Sequence, residues 1–475
     1  MKVLLGNPPW YRPGYYGVRA GSRWPHFERN DARYYPYPFF MGYAASLLEN
    51  DGFDVRILDG VVERMKEHAF LSRIAAEAPD VILLEVSTPS WDWDKRAIDQ
   101  LSVSLPGVPI ILAGIHAFMY DDSFFESHPA VTATIRGEYE LTLRDTVIRL
   151  RDGKDLQGIE GLVWRSSEGT IVHEKPRELL RELDSLPWPH RTQLPMDQYI
   201  DGLLELPQPC LQMWASRGCP YQCGFCAWPQ IMYTAGSYRM RSPEVVVEEM
   251  IRDGRDNGFK SVYFDDDVFN VGDKRMKKFV ELLKNAEWNL PWGMMARADT
   301  CSPSLYEELG TVGLEVVKFG VESGEQSVVD SCGKRLKISD VRNAVRVCKA
   351  SGIRTHLTFM FGLPGETAKS ARKTIDLALE LAPDTIQFSL ATPFPGSRFY
   401  DELDEKGYLV SKDWSQYDGY SKAVVRTDDL SSEDLEKFMK EAYRSWESRG
   451  GGKKPTSAVS RLRSLWKKFR VSITQ

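Results

Sequence analysis

Three cysteines stand close together in the segment Arg217-Gly-Cys219-Pro-Tyr-Gln-Cys223-Gly-Phe-Cys226. Thiolates at such short spacing bind soft metals or an iron–sulfur cluster. Three thiolates leave one iron of a four-iron cluster open to an outside ligand, whereas a closed zinc site needs a fourth protein ligand. The nearest candidate for that ligand is Cys210, which precedes the neighbouring strand. The segment therefore predicts an iron–sulfur cluster, with zinc as the alternative.

The elements that must position these cysteines form a regular series. Predicted strands alternate with helical patterns, and one of those helices starts at Ser242-Pro243, an N-cap followed by a first-turn proline. The predicted strands are 211–217, 261–265, 292–297, 316–321, 355–361 and 386–391. Six βα units in sequence predict a partial (β/α)6 barrel of the TIM type, whose functional groups lie on the loops after the strands.

The first 150 residues show a similar alternation. The predicted strands are Lys2 to Gly6, Val55 to Leu58, Val81 to Ser87 and Ile110 to Ala113, with helical patterns between them. This order predicts an open, Rossmann-like parallel sheet with helices on both faces. Ligands of such sheets bind beyond the carboxyl ends of the strands.

Four regions are therefore expected. Residues 1–150 form the Rossmann-like domain, 151–205 a linker with a small hairpin at 158–174, 206–405 the partial barrel, and 406–475 a helical C-terminal extension. The stretch 453–470 has seven basic residues and no acidic one, with apolar residues on one helical face. We interpret it as a solvated helix or disordered tail, with contact to a membrane surface or a partner as the alternative.

Composition narrows the class of protein. The chain has 475 residues, and 61 Lys and Arg against 67 Asp and Glu give a net charge of −6, so no nucleic-acid partner is expected. Seven cysteines in so long a chain exclude a disulfide scaffold and fit a reducing compartment. Cys301, Cys332 and Cys348 are predicted to be structural. No membrane span or secretory signal is visible, so we expect a cytoplasmic protein.

The motif Cys219-x3-Cys223-x2-Cys226, with an aromatic residue directly before its last cysteine, resembles the signature of the radical S-adenosylmethionine (SAM) superfamily. The N-terminal sheet, with Asn7-Pro8-Pro9 and Gly114-Ile115-His116, resembles the cobalamin-binding domain of the cobalamin-dependent branch. The resemblance implies a 4Fe-4S cluster, SAM and cobalamin as cofactors. SAM would chelate the open iron, and an electron from a donor such as flavodoxin or ferredoxin would cleave it to a 5′-deoxyadenosyl radical.

The resemblance also implies which residues bind SAM. The implied residues are Phe225, Asp266, Asp267, Arg297, Glu322, Ser323, Gly362 and Gly365. Phe225 would pack near the adenine, Glu322 would hold the ribose hydroxyls, and the glycines would line the adenosine. Asp266 or Asp267 would accept hydrogen bonds from the SAM ammonium, unless the two form a solvated loop or N-cap. Arg297 would pair with the SAM carboxylate, with a structural ion pair as the alternative.

Cobalamin would lie on the loops of the first sheet. The implied contacts are Asn7, Pro8, Ser87, Thr88, Gly114, His116 and Glu138. Many cobalamin domains supply a lower axial histidine from Asp-x-His-x-x-Gly, but Asp59-Gly60-Val61 has valine at that position. This departure predicts base-off cobalamin without a histidine ligand. His116 is then either a cofactor contact or a structural loop residue.

The function implied is methylation of an unactivated carbon in a small-molecule or lipid substrate, with methylcobalamin as donor and a second SAM restoring it. The alternative is a cyclase or ring-rearranging enzyme, similar to the anaerobic magnesium-protoporphyrin ester cyclase or to hopanoid-associated members. A non-catalytic iron–sulfur or zinc module would not need the glycine and carboxylate loops after strands four and five of the barrel. A tRNA-modifying enzyme is disfavoured by the acidic balance.

Overall fold

Two large sheets, the first mixed and the second parallel, follow each other along the chain and form the framework of the molecule. The computed structural model describes residues 1–19 and 25–449, so the basic stretch 453–470 lies outside the described residues. The strands up to residue 201 are β1 Lys2–Asn7, β2 Tyr11–Arg12, β3 Tyr15–Val18, β4 His26–Arg29, β5 Tyr34–Tyr35, β6 Asp54–Asp59, β7 Val81–Val86, β8 Ile110–Gly114, β9 Val131–Ile135, β10 Leu162–Arg165, β11 Ile171–His173 and β12 Ile200–Asp201. The helices are α1 Phe39–Asn50, α2 Glu67–Glu77, α3 Trp91–Ser104, α4 Asp122–Ser127 and α5 Glu140–Arg151.

The first sheet has the order β11-β10-β9-β8-β7-β1-β6. Its five strands from β9 to β6 are parallel, which confirms the predicted α/β fold of this half. The predicted hairpin is present, but it adds to this sheet because β10 pairs antiparallel with β9. Strand β9 was not predicted, and without it the hairpin had no partner edge to which the sequence could assign it.

The second half supplies the barrel. Its strands are β13 Cys210–Met213, β14 Ser216–Gly218, β15 Tyr238–Met240, β16 Ser261–Phe264, β17 Trp292–Ala296, β18 Leu314–Glu322, β19 Arg354–Phe361 and β20 Thr385–Leu390. Its helices are α6 Ala227–Ile231, α7 Pro243–Glu249, α8 Asp273–Asn285, α9 Ser304–Gly310, α10 Gln326–Ser331, α11 Ile338–Ala350, α12 Ala368–Leu381, α13 Arg398–Glu405 and α14 Ser432–Ser448. The predicted N-cap of α7 is confirmed, since the Ser242 hydroxyl accepts from Val245 N.

Six strands of this half form one parallel sheet in the order β13-β16-β17-β18-β19-β20. Each strand pairs with the next one along the barrel, as the predicted partial barrel requires. The predicted single strand 211–217 is wrong: β13 ends at Met213, and β14 pairs antiparallel with β15. The chain leaves the sheet because Ala215 N donates to the Asp266 carboxylate at 3.2 Å and Trp214 Nε1 donates to Asp265 O at 2.9 Å.

A small apolar plug closes the end of the barrel where its strands begin. It consists of Leu204, Leu206, Cys210, Tyr263 and Val316, all buried. Cys210 therefore lies at the opposite end of β13 from the cysteine segment. This position removes it as a fourth ligand for the three cysteines.

The loops after the strands of the two sheets face each other. A Cβ added to Gly396, in the loop after β20, would lie 2.7 Å from Cβ of Ala117, in the loop after β8. A Cβ on Gly137, after β9, would lie 3.1 Å from Met232 O, just after α6. The edges at which both sheets would bind ligands are thus joined. Within residues 1–19 and 25–449, no helix combines the length and apolar character needed to cross a bilayer.

Candidate active site

The cysteine segment forms a loop between β14 and α6, and one glutamine orders its backbone. Gln230 Nε2 donates to three carbonyls of the loop, at 3.3 Å to Cys223 O, 2.9 Å to Gly224 O and 2.7 Å to Cys226 O. The Gln230 Oε1 accepts from Arg398 N at 2.9 Å. A single amide therefore fixes the turn that spaces the thiols.

Two further contacts hold this loop from outside. Gly224 N donates to Cys332 O at 2.8 Å, and Arg398 Nη2 donates to Gln222 O at 3.1 Å. A Cβ on Gly224 would lie 3.2 Å from Arg398 Nη2, a tight contact for any larger residue there. Since Arg398 follows the Pro393-Phe-Pro-Gly396 segment, the end of the barrel helps to build the cysteine loop.

The donor set fits an iron–sulfur cluster. Burial raises the pKa of the Cys219 thiol to about 12 and that of Cys226 above its usual value, so iron must displace protons when it binds. Among the described residues, no three Cys, His, Asp or Glu side chains converge to hold a single metal ion. The structure brings Cys332 beside the loop, but its thiol donates to Val329 O at 3.2 Å. Three thiols on one loop suit a cluster better than closed mononuclear zinc.

A buried ion pair lies next to the cysteines. Lys334 Nζ is 2.7 Å from Glu322 Oε1 and 5.9 Å from the ring centroid of Phe225. Burial lowers the pKa of Lys334, but the nearby Glu322 and Cys223 outweigh burial and raise it. Glu322 ends β18 with φ of +71°, at a shift in the register with β19. A left-handed backbone at a residue other than glycine is of the kind that recurs at functional sites.

Arg297 forms an ion pair within the protein, which is the alternative that the sequence analysis gave to pairing with the SAM carboxylate. Its Nε is 2.6 Å from Asp299 Oδ1, and its Nη2 donates to Lys334 O at 2.6 Å. The guanidinium lies 3.5 Å from the ring centroid of Tyr221, inside the cysteine loop. Arg297 is therefore beside the site, and its pairing with the SAM carboxylate stays a prediction.

Asp266 and Asp267, the acidic pair after β16, hold the backbone segment that leads to Cys219. Asp266 is fully buried and accepts from Ala215 N and the Ser216 hydroxyl, and Asp267 Oδ2 accepts from Gly218 N at 2.9 Å. Burial raises the pKa of Asp266 to about 6 and that of Asp267 to about 7. The alternative of a solvated loop is wrong, because these carboxylates hold the backbone that leads into the cysteines.

The remaining predicted SAM residues divide into two groups. The Ser323 hydroxyl is 3.1 Å from the Thr374 hydroxyl and so points to α12 rather than to the cysteines. Gly362 has φ of +101°, and its N–H donates to the buried Glu366 carboxylate at 2.5 Å, while burial raises the pKa of Glu366 to about 8. Space around a Cβ at Gly365 is open. The two glycines thus give a tight turn with an open side.

The loops of the first sheet carry a buried polar network. Asn7 Nδ2 donates to Asp59 Oδ1 at 2.8 Å, and Arg19 Nη1 donates to Asn7 Oδ1 at 2.8 Å and also to Pro8 O. Arg19 further pairs with Asp94, whose other oxygen accepts from Ser87 N at 3.3 Å. Asn7, Pro8 and Ser87 are thus brought together at one edge.

Thr88, Gly114 and His116 form a second group at this edge. His116 Nδ1 is 3.3 Å from the Thr88 hydroxyl, and its ring stacks on Trp91 with centroids 4.9 Å apart. Burial lowers the pKa of His116 to about 3, so the ring is neutral. A Cβ on Gly114 would lie 2.2 Å from Val86 O, so only glycine fits between these strand ends. We call this polar edge, formed by Asn7, Pro8, Ser87, Thr88, Gly114 and His116, the cradle.

Glu138 contacts the barrel half. Its carboxylate pairs with Arg239 and Arg217 of the barrel half, at 2.5 Å and 3.3 Å. The side chains that sequence reasoning missed are Tyr221, Gln230, Lys334 and Arg398. Tyr221 stands inside the quoted motif, but no spacing rule connects Lys334 or Arg398 to it.

Models of known protein families match both halves of the chain. The family model of the Radical SAM superfamily matches residues 215–378, and that of the B12 binding domain matches residues 29–147. The chain belongs to the cobalamin-dependent radical SAM enzymes. Its cofactors are therefore a 4Fe-4S cluster, SAM and cobalamin.

Relatives of this radical SAM enzyme share both domains. An uncharacterized methyltransferase of Pyrococcus horikoshii is 28% identical over 86% of this chain and 87% of its own length. The anaerobic magnesium-protoporphyrin IX monomethyl ester cyclase of Rubrivivax gelatinosus is 25% identical over 86% of this chain and 70% of its own length. A solved structure of the radical SAM methyltransferase TsrM from Kitasatospora setae has a TM-score of 0.67 at 20% identity, covering 85% of this chain and 78% of TsrM.

Proposed function

We propose that this radical SAM enzyme transfers a methyl group from SAM, by way of cobalamin, to an unactivated carbon of a small-molecule substrate. The observation that carries the proposal is the direct contact between the loops of the cobalamin domain and those of the barrel, at Ala117 with Gly396 and Gly137 with Met232. Methyl transfer needs the two cofactors within reach of one substrate. The methyltransferase relative that covers both domains supports it.

The chain's own residues position the reactants. Cys219, Cys223 and Cys226 would hold the cluster, while Glu322 and Phe225 would hold the ribose and adenine of SAM. When bound, the cluster supplies the electron that cleaves SAM, and cobalamin carries the methyl group. The aromatic and buried polar walls exclude water and stray hydrogen donors. A reduced flavodoxin or ferredoxin would deliver the electron.

Ring formation without methyl transfer is the second candidate function. The cyclase of Rubrivivax gelatinosus matches this chain across both domains and favours it. The two functions differ in how they use SAM, because only a methyltransferase must put the SAM methyl group on cobalt.

A substrate-free experiment separates these candidates. Anaerobic holoenzyme carrying cob(I)alamin is mixed with SAM, and S-adenosylhomocysteine is measured. A methyltransferase is expected to form S-adenosylhomocysteine in amounts stoichiometric with cobalamin. Deoxyadenosine without S-adenosylhomocysteine, after reduction of the cluster, would overturn the methyl-transfer proposal and support the cyclase.

We further propose that cobalamin is bound base-off with no histidine on cobalt. Val61 and Val62 donate their N–H groups to Asp59 Oδ1 at 3.1 and 3.3 Å, and both valine side chains are buried. His116 is held by Thr88 and Trp91 in the wall of the cradle. Electron paramagnetic resonance of the cob(II)alamin form is expected to lack nitrogen superhyperfine splitting. Nitrogen splitting that disappears in His116→Phe would contradict the proposal.

A further inference from the structure

Two arginines of the barrel half face each other across the ribbon of β14 and β15. Arg217 and Arg239 are direct register partners in this antiparallel pair, so their side chains lie on the same face. Like charges directly opposite each other destabilise a two-stranded ribbon. The ribbon therefore needs carboxylates from elsewhere.

The cobalamin domain supplies these carboxylates. Arg239 and Glu138 form a bidentate ion pair, with Nη1 2.9 Å from Oε2 and Nη2 2.5 Å from Oε1. Arg217 Nη2 donates to Glu140 Oε1 at 2.6 Å, and Arg217 Nη1 lies 3.3 Å from Glu138 Oε1. Glu138 precedes α5 and Glu140 begins it, directly after the Gly137 turn that follows β9. We call these four side chains the interdomain clamp.

The interdomain clamp is largely buried, and Arg217, Glu138 and Glu140 also line a cavity of about 150 Å³. Its side chains are between 3% and 10% exposed. The Arg217 guanidinium lies 5.0 Å from the ring centroid of Phe40 and 4.9 Å from that of Tyr43, both on α1 of the cobalamin domain. Buried, geometrically matched charges depend strongly on their partners, unlike pairs at the surface.

The interdomain clamp also lies next to the cluster ligands. Arg217 is two residues before Cys219, and Gly218 between them has φ of +82° with Ser237 O only 2.3 Å from where a Cβ would be. Gly218 N is fixed by Asp267. Any shift of the ribbon must therefore move the start of the cysteine loop.

We propose that the interdomain clamp consists of positioning residues that set the distance and orientation between cobalamin and the iron–sulfur cluster. This inference rests on the proposed function, in which both cofactors serve one reaction. It assigns a role to Glu138 that is different from direct contact with cobalamin. The interdomain clamp acts through the cysteine loop on one side and α5 on the other.

The test compares holoenzymes that carry the reduced cluster and cob(II)alamin, which are both paramagnetic. The dipolar coupling between them is measured by electron paramagnetic resonance without SAM turnover. Arg239→Gln is expected to keep its iron and cobalamin but to show a weaker or broadened coupling. Its rate of S-adenosylhomocysteine formation is expected to fall by about tenfold to a hundredfold.

A matched control separates positioning from lost stability. Arg354 and Glu315 form an ion pair where β18 and β19 begin, at the end of the barrel away from the cysteine loop, and Arg354→Gln should leave the coupling unchanged. If Arg239→Gln loses its cofactors, the variant E138Q/R239Q removes both charges together and gives the same readout. Wild-type coupling in cofactor-replete Arg239→Gln or E138Q/R239Q would overturn the proposal, and so would an equal change in Arg354→Gln. Failure of wild-type enzyme to form S-adenosylhomocysteine would overturn the proposed function alone, because the coupling is read independently.

Discussion

Replacement of Cys223 by alanine is expected to abolish the 4Fe-4S cluster and, with it, essentially all cleavage of SAM. The loop offers three thiols, so loss of one leaves only two ligands for four irons. Gln230 and Arg398 would still hold the loop backbone, so the chain should stay folded. Iron, acid-labile sulfide and deoxyadenosine, measured after anaerobic reconstitution and reduction, check this result.

Two other cysteines serve as controls for this experiment. Cys210 is buried in the plug at the opposite end of the barrel, and Cys332 donates its thiol to Val329 O. Cys210→Ala and Cys332→Ala are expected to keep four irons and SAM cleavage. If Cys332→Ala lost as much iron as Cys223→Ala, Cys332 would be a fourth protein ligand. The prediction that one iron of the cluster is open to SAM would then be wrong.

The variant Glu322→Gln is expected to bind SAM about 10- to 100-fold more weakly. Charge-assisted hydrogen bonds contribute about 1.5–3 kcal/mol each, and about 1.4 kcal/mol changes affinity tenfold. The glutamine keeps the size of the side chain but offers the ribose hydroxyls no anionic acceptor. Titration with SAM, followed by the resonance signal of the reduced cluster, measures this affinity without turnover.

The partner of Glu322 provides the control for stability. Glu322→Gln leaves the Lys334 ammonium buried beside a neutral amide, which costs up to about 3–5 kcal/mol of folding free energy. The double variant E322Q/K334M removes this unpaired charge and should recover the melting temperature while SAM binding stays weak. Recovery of wild-type SAM affinity in the double variant would mean that Glu322 only neutralises Lys334.

Some elements of the fold follow directly from local patterns. The six barrel strands and four strands of the first sheet were predicted from short apolar runs. Two of the runs in the first sheet, Val81 to Ser87 and Ile110 to Ala113, are rich in β-branched residues, as buried parallel strands are. Strand β9, Val131–Ile135, has such a run as well, but it was missed. The break after Met213 was not predictable, since it depends on Asp265 and Asp266, about fifty residues later in the chain.

The candidate site residues also divide into those that the sequence predicted and those that only the tertiary structure placed. Glu322 and Arg297 were predicted from the family resemblance, which places them where barrel strands end, and the structure places both beside the cysteine loop. The side chain of Ser323 turns to α12 because its hydroxyl bonds Thr374. Nothing local distinguishes Glu322 from its neighbour, because strand twist and helix packing decide which one faces the site.

The sequence indicated the cofactors of this enzyme through its resemblance to the radical SAM family: the spacing of three thiols limits the ligands that a cluster can receive, and the valine after Asp59-Gly60 predicts cobalt without a histidine ligand. Local spacing and residue type suffice for such conclusions. The tertiary structure decided where the two halves meet, because Arg217 and Arg239 must come together in a ribbon before Glu138 and Glu140 can neutralise them. Long-range electrostatic pairing of this kind has no signature in the order of the residues.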